Sequence, residues 1–114
     1  MTLYSPQFVL NFASGSASFS LSPQAALQLR QALGTLLERF QLHPGRPRQQ
    51  PQPPVEFRHS AQELNLEVFC NPNIWPGPHA AKVLVTLKTP LLRLSTEVDL
   101  SRLQEDLNQY LESV

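Results

Sequence analysis

Two stretches of this chain each read as a pair of alternating strands followed by a leucine-rich amphipathic helix, at about residues 8–40 and 83–114. Alternation of apolar and polar side chains with period two indicates strands, and apolar spacing of three to four indicates helices. A helix with one apolar stripe must bury that stripe, so we expect both helices on the same face of an antiparallel sheet. The similarity leaves true duplication and chance both open, because any two leucine helices can be aligned.

The two helices have recognisable beginnings. Ser22 followed by Pro23 supplies a capping oxygen and a proline at the first helical position, so the first helix is predicted at about residues 23–42. Thr96 and Asp99 have the spacing of a capping box, which places the second helix at about 97–113. Leucines at three-to-four spacing follow each of these caps.

The middle of the chain contributes a further hairpin between two irregular loops. Residues 55–60 and 64–70 alternate, whereas 43–54 form a proline-rich exposed loop and 71–79 a Trp/Pro loop without regular structure. We therefore predict one α+β domain over 1–114, with an antiparallel sheet of about five or six strands. Its order is ββα-ββ-ββα, and both helices cover one face.

Charge and composition narrow the class of protein. The formal net charge is zero, with five Arg against two Glu in residues 1–60 and four basic against seven acidic residues in 61–114. This balance disfavours a nucleic-acid partner, which selects strongly basic surfaces. No segment approaches the roughly 18 consecutive apolar residues of a membrane span. The single cysteine, Cys70, fits a reducing compartment, so we expect a cytoplasmic protein.

The residue types that carry chemistry do not converge in the sequence. His43, His59, His79 and Cys70 lack the close spacing of metal ligands, so no metal is predicted. No Gly-x-Ser-x-Gly elbow, glycine-rich phosphate loop or nucleophile with a matched base occurs. The sequence therefore predicts no catalytic residue and no cofactor.

Two irregular segments carry features that binding interfaces favour. Trp75, next to Ile74, is the only tryptophan and lies in a rigid loop; it either anchors a partner or folds back over the end of the sheet. Arg48, Pro51 and Pro54 fit an R-x-x-P-x-x-P ligand for an aromatic groove, or belong to an ordinary spacer.

The sheet face that the helices leave uncovered is the third candidate surface. We expect it to carry Val9, Phe69, Leu84 and Leu91 among polar residues. The leading hypothesis is a non-enzymatic protein-binding module, an adaptor or assembly factor that docks a segment of a larger protein. A homodimer interface, a ligand or enzyme pocket using His59, Arg58 or Glu67, and a weak RNA-binding module are the alternatives.

Overall fold

The computed structural model describes residues 6–41 and 51–114. The strands are Gln7–Phe12 (β1), Gly15–Ser20 (β2), Val55–Ala61 (β3), Leu64–Cys70 (β4), Lys82–Lys88 (β5) and Arg93–Asp99 (β6). The helices are Pro23–Gln41 (α1) and Leu100–Ser113 (α2). This element order confirms the predicted α+β class and the order ββα-ββ-ββα.

The strands form two antiparallel sheets, whereas the sequence predicted one. Strands β3, β4, β5 and β6 pair in that order, and β1 pairs only with β2. The cause lies at Asn11 of β1, whose backbone N–H donates to the Asp106 carboxylate of α2 at 2.9 Å. The Asn11 side-chain amide donates to the other Asp106 oxygen, also at 2.9 Å. The edge of β1 therefore lies along α2 and does not continue the sheet at β6.

A single apolar cluster joins both helices, the hairpin and one face of the four-stranded sheet. Strand side chains of alternating parity point into it, as their period predicted. The inward-pointing side chains among them are buried or half-buried: Phe8, Leu10, Phe12, Leu66, Val68, Val83 and Val85. Phe8 contacts the rings of Phe19 and Tyr110 edge to face, which packs the hairpin against α2. The opposite face of the four-stranded sheet is left uncovered by these elements.

Helix α1 begins where the sequence predicted. The Ser22 hydroxyl accepts a hydrogen bond from the Ala25 N–H at 3.1 Å, which satisfies one of the free donors of the first turn. The helix packs against β3. At its other end, Arg39 Nη1 donates to the Pro53 carbonyl at 2.7 Å and the Pro54 carbonyl at 3.1 Å. These bonds fix the segment that leads into β3.

Helix α2 begins later than predicted. The prediction of a capping box at its start is wrong. Thr96 and Asp99 belong to β6, and Asp99 makes no side-chain hydrogen bond to the helix. Pairing with β5 prolongs the strand as far as Asp99, opposite Lys82. Cross-strand pairing therefore overrides the local helix signal, and the helix starts at Leu100.

The loops hold more structure than the sequence indicated. Residues 71–79 were predicted to lack regular structure, but Pro72–Ile74 and Pro78–Ala80 are short 3-10 helices. The predicted proline-rich loop lies outside the described residues except for 51–54. In the parts of the chain that the structure describes, no helix is long and apolar enough to cross a membrane.

Candidate partner-binding face

The outward side of the four-stranded sheet, here called the open face, is built from alternate residues of four strands. The cross-strand registers arrange these side chains in rows that run across the sheet. One row is Ser60, Asn65, Lys88 and Arg93; the next is Arg58, Glu67, Thr86 and Ser95; the third is Glu56, Phe69, Leu84 and Glu97. The open face is therefore polar except at one apolar pair.

The polar side chains of the second row contact one another and Lys88 of the first row. Glu67 lies between Lys88, with its Nζ at 3.3 Å, and Arg58, with its Nε at 3.8 Å. The hydroxyls of Thr86 and Ser95 are 2.9 Å apart. Glu67 balances only one of these two cations, so an excess of positive charge remains at this end of the open face.

The third row differs because its apolar pair is flanked by unpaired acids. Phe69 and Leu84 face each other across β4 and β5, with 37% and 43% of their surfaces exposed. Glu56 borders Phe69 and Glu97 borders Leu84. Among residues 6–41 and 51–114, neither glutamate forms an ion pair. This row is the part of the open face best able to contact another molecule.

Charge is distributed unevenly along the strands of the open face. The half next to the β5–β6 turn carries Arg58, Lys88 and Arg93 against Glu67, a formal charge of +2. The half at the other end carries Glu56, Glu97 and Asp99 against Lys82, a formal charge of −2. The open face is thus dipolar although its net charge is zero.

The structure places three of the predicted contact residues away from the open face. Val9 is exposed, but it lies on the separate hairpin. Trp75 is half-buried and packs against the apolar core, whereas its neighbour Ile74 is exposed. Only Phe69 and Leu84 of the predicted apolar contacts are brought together.

The proline motif is only partly described. Arg48 lies outside the described residues, and Pro51 and Pro54 are exposed. Gln52 between them exchanges two hydrogen bonds with the side chain of Asn73, at 2.8 and 2.7 Å. This stretch is therefore attached to the loop after β4.

His59 does not meet the other two residues of the alternative pocket, Arg58 and Glu67. Arg58 and Glu67 point to the open face, whereas His59 has the opposite parity and points to the inner face. His59 borders a cleft of about 430 Å³ together with Phe19, Ser22 and Leu64. The Ser22 hydroxyl in this cleft already caps α1. Among the described residues, no carboxylate lines this cleft.

The candidate soft ligands are likewise separated. Cys70 is buried on the inner face of β4, and its Sγ lies 3.5 Å from the Lys82 carbonyl oxygen. Burial removes water from the thiol and raises its pKa from 9.0 to about 11. Within the described ranges, no three His, Cys, Asp or Glu side chains lie close enough to hold a metal ion.

Leu91 was expected on the open face of the sheet, but it lies in the β5–β6 turn, before β6 begins at Arg93. Leu91 and Leu92 stand at the tip of this turn, and Leu91 is 97% exposed. The Thr89 hydroxyl accepts hydrogen bonds from both of their N–H groups, at 3.2 and 2.9 Å, which fixes the turn. Two successive leucines directly after Thr89 and Pro90 were the available signal.

Comparison with known proteins does not identify the chain. No family model matches it, and no curated protein and no solved structure matches it either.

Proposed function

We propose that this protein is a small non-enzymatic binding module that docks a segment of a larger protein partner on its open face. The row Glu56, Phe69, Leu84 and Glu97 carries the proposal, because it combines exposed apolar side chains with acids that have no partner among the described residues. Interfaces commonly combine a central apolar anchor with a polar rim. Phe69 and Leu84 are the anchor here.

The charges of the open face define the partner segment further. Its acidic half surrounds the apolar pair, and its basic half lies toward the β5–β6 turn. A complementary segment carries apolar side chains flanked by basic ones, with acidic residues toward the turn. Binding of this kind is steered by charge, so its association rate falls as salt is added.

The remaining predicted features have supporting roles in this proposal. Ile74 is exposed in the loop that follows β4, and the 51–54 stretch is attached to the same loop through Asn73. Pro72–Ile74 contacts α1, so these residues lie beside that helix and form a second contact surface, separate from the open face. An adaptor or assembly role in the cytoplasm is consistent with the single, buried, free cysteine.

Site-specific photo-cross-linking tests the proposal. A cross-linking residue at Leu84 is compared with one at Leu27, which is equally exposed at 41% but lies on α1. We expect one protein to be captured from the native cell at position 84 and not at position 27. The captured protein, once purified, should bind the wild-type chain saturably.

Substitution of the anchor gives the quantitative control. Phe69→Ser with Leu84→Ser should weaken binding of the purified partner by about a hundredfold, the loss expected when two anchors of about 1–2 kcal/mol each are removed. Leu27→Ser should leave the affinity unchanged. Circular dichroism should show that both variants remain folded. If the wild type and both variants then bind the partner equally well, the open face is not the binding site.

A further inference from the structure

The free edge of β3 can be identified from the hydrogen bonds of the four-stranded sheet. The Leu100 N–H donates to the Ala81 carbonyl at 3.0 Å, and the Thr89 N–H donates to the Leu92 carbonyl at 2.7 Å. These bonds fix which residues of β5 face β6. Hydrogen-bonding direction alternates along every strand, so the registers of the sheet extend this assignment from β5 through β4 to β3. The backbone groups of Glu56, Arg58 and Ser60 therefore point away from the sheet.

The turn between β3 and β4 supports this assignment independently. Gln62 and Glu63 form a two-residue loop with φ of 52° and 66°, the positive values of a type I′ hairpin turn. In such a hairpin the two flanking residues, here Ala61 and Leu64, form a hydrogen-bonded pair. The odd residues of β3 thus face β4, and the even residues face outward.

Two other strand edges of the described chain are covered, whereas the outer edge of β2, like that of β3, pairs with no described strand. Asn11 and Phe12 of β1 share a gap with Glu97 and Asp99 of β6, so the hairpin approaches that edge. The outer edge of β1 lies along α2, where Asp106 takes the Asn11 N–H. No described strand pairs with the outer edge of β3, which is seven residues long. An open edge of this length is a template for pairing with another strand.

We propose that a second copy of this chain pairs with that edge, joining two four-stranded sheets about a two-fold axis at Phe57. In this antiparallel register Phe57 faces Phe57, Glu56 faces Arg58 of the second copy, and Arg58 faces Glu56. The neighbouring registers that keep the same backbone bonds place Glu56 on Glu56 or Arg58 on Arg58, and like charges directly opposite destabilise a sheet. Charge complementarity therefore selects the register centred on Phe57.

The inner side of the same register is apolar at its centre. Val55, Phe57 and His59 are half-buried within one chain, and Phe57 already packs against the core. Pairing covers the remainder of these side chains. Pairing engages Glu56 and Arg58 of the open face but leaves Phe69 and Leu84 exposed and makes the face continuous across both copies, so the dimer does not depend on the apolar anchor of the proposed partner site.

Charge reversal at Glu56 and at Arg58 tests whether the dimer forms in this register. Sedimentation equilibrium of the full chain should show a concentration-dependent monomer–dimer equilibrium. Glu56→Arg alone and Arg58→Glu alone should each weaken dimerisation at least about tenfold, because both ion pairs become repulsive. An equimolar mixture of these two variants should recover a dimer, since each supplies the charge that the other lacks.

Glu97→Arg is the matched control, because it makes the same charge change on the same face but at β6. It should leave the dimerisation constant unchanged, and circular dichroism should show that all variants remain folded. A wild-type chain that stays monomeric at every concentration would overturn the proposal. The proposal would also be overturned if the mixture of the Glu56→Arg and Arg58→Glu variants stayed monomeric. It would be overturned as well if Glu97→Arg weakened dimerisation as much as Glu56→Arg does.

Discussion

Gly34 is a residue whose conformational freedom the fold does not use. It lies within α1, and a Cβ added there would meet no atom within 4 Å. Glycine is disfavoured in a helix interior because it loses the most backbone entropy on folding. We expect Gly34→Ala to raise the free energy of unfolding by about 0.5–1 kcal/mol, measured by urea denaturation.

Gly15 provides the contrast for Gly34. A Cβ at Gly15 would lie 3.3 Å from the Phe12 ring, closer than an ordinary contact. Gly15→Ala should therefore not stabilise the protein. If both substitutions raise the free energy of unfolding, the entropy of the unfolded chain alone explains the effect. If Gly34→Ala does not raise it, the open space beside Gly34 is contradicted.

Cys70 shows how burial controls the chemistry of a single side chain. Its pKa of about 11 in the folded protein lies above its ordinary value of 9.0, because the thiolate would be removed from water. At pH 8 the folded thiol should react with a soluble disulfide reagent at least about 100-fold more slowly than the unfolded chain, since only the thiolate attacks. Labelling with and without denaturant measures this ratio.

The same shift of the Cys70 pKa has a stability consequence of definite sign. Below about pH 9 the thiol is protonated in both states, and ionisation does not affect folding. As pH rises from 9 toward 11, the unfolded chain releases its proton first, so stability is lost in that window. The wild type should therefore lose stability relative to Cys70→Ala between these pH values. A constant difference would contradict the raised pKa.

At the scale of elements, Asp106 joins the hairpin to α2. Its buried carboxylate accepts two hydrogen bonds from Asn11 and lies 3.4 Å from the Arg102 Nε. Removing it leaves the Asn11 N–H without an acceptor. We expect Asp106→Ala to lower the free energy of unfolding by about 2–3 kcal/mol, measured by chemical denaturation.

Glu105 is the adjacent control for Asp106. Its side chain is 73% exposed, and its ion pair with Arg102 is 4.0 Å long. Exposed pairs of this kind contribute little, so Glu105→Ala should change stability by less than about 0.5 kcal/mol. Equal effects of the two substitutions would contradict the specific role of the Asp106 carboxylate.

How far the sequence predicts each element depends on where its signal lies. Alternation alone indicates all three hairpins, and the Ser22 cap indicates α1, because these signals are local. The start of α2 could not be predicted, since pairing of Asp99 with Lys82 decides it. The spacing of Asp106 from Leu103 and Tyr110 places its side chain on the buried stripe of α2.

The candidate site was predictable in part for the same reason. Alternation places Phe69 and Leu84 on one face of the sheet, and that much follows from each strand separately. Their contact with one another, and the positions of Glu56 and Glu97 beside them, depend on register between distant strands. The separation of Val9 from this face depends on the split of the sheet, which the Asp106 contact produces.

At the scale of the whole molecule, the two sheets differ in how they are supported. Strands β4 and β5 each pair on both sides, whereas β1 and β2 pair with no other described strand and β1 packs on α2. The hairpin should therefore open locally without unfolding the rest of the protein. Native-state hydrogen exchange should show the slowest amides in β4 and β5, and faster exchange in β1 and β2.

The contact at Asp106 makes this difference between the sheets testable by substitution. Asp106→Ala should accelerate exchange in β1 and β2 more than in β4 and β5, because it releases the hairpin from α2. Glu105→Ala should leave the pattern unchanged. If Asp106→Ala accelerates both sheets by the same factor, the hairpin and the four-stranded sheet unfold as one cooperative unit, and the Asp106 contact stabilises the whole protein uniformly.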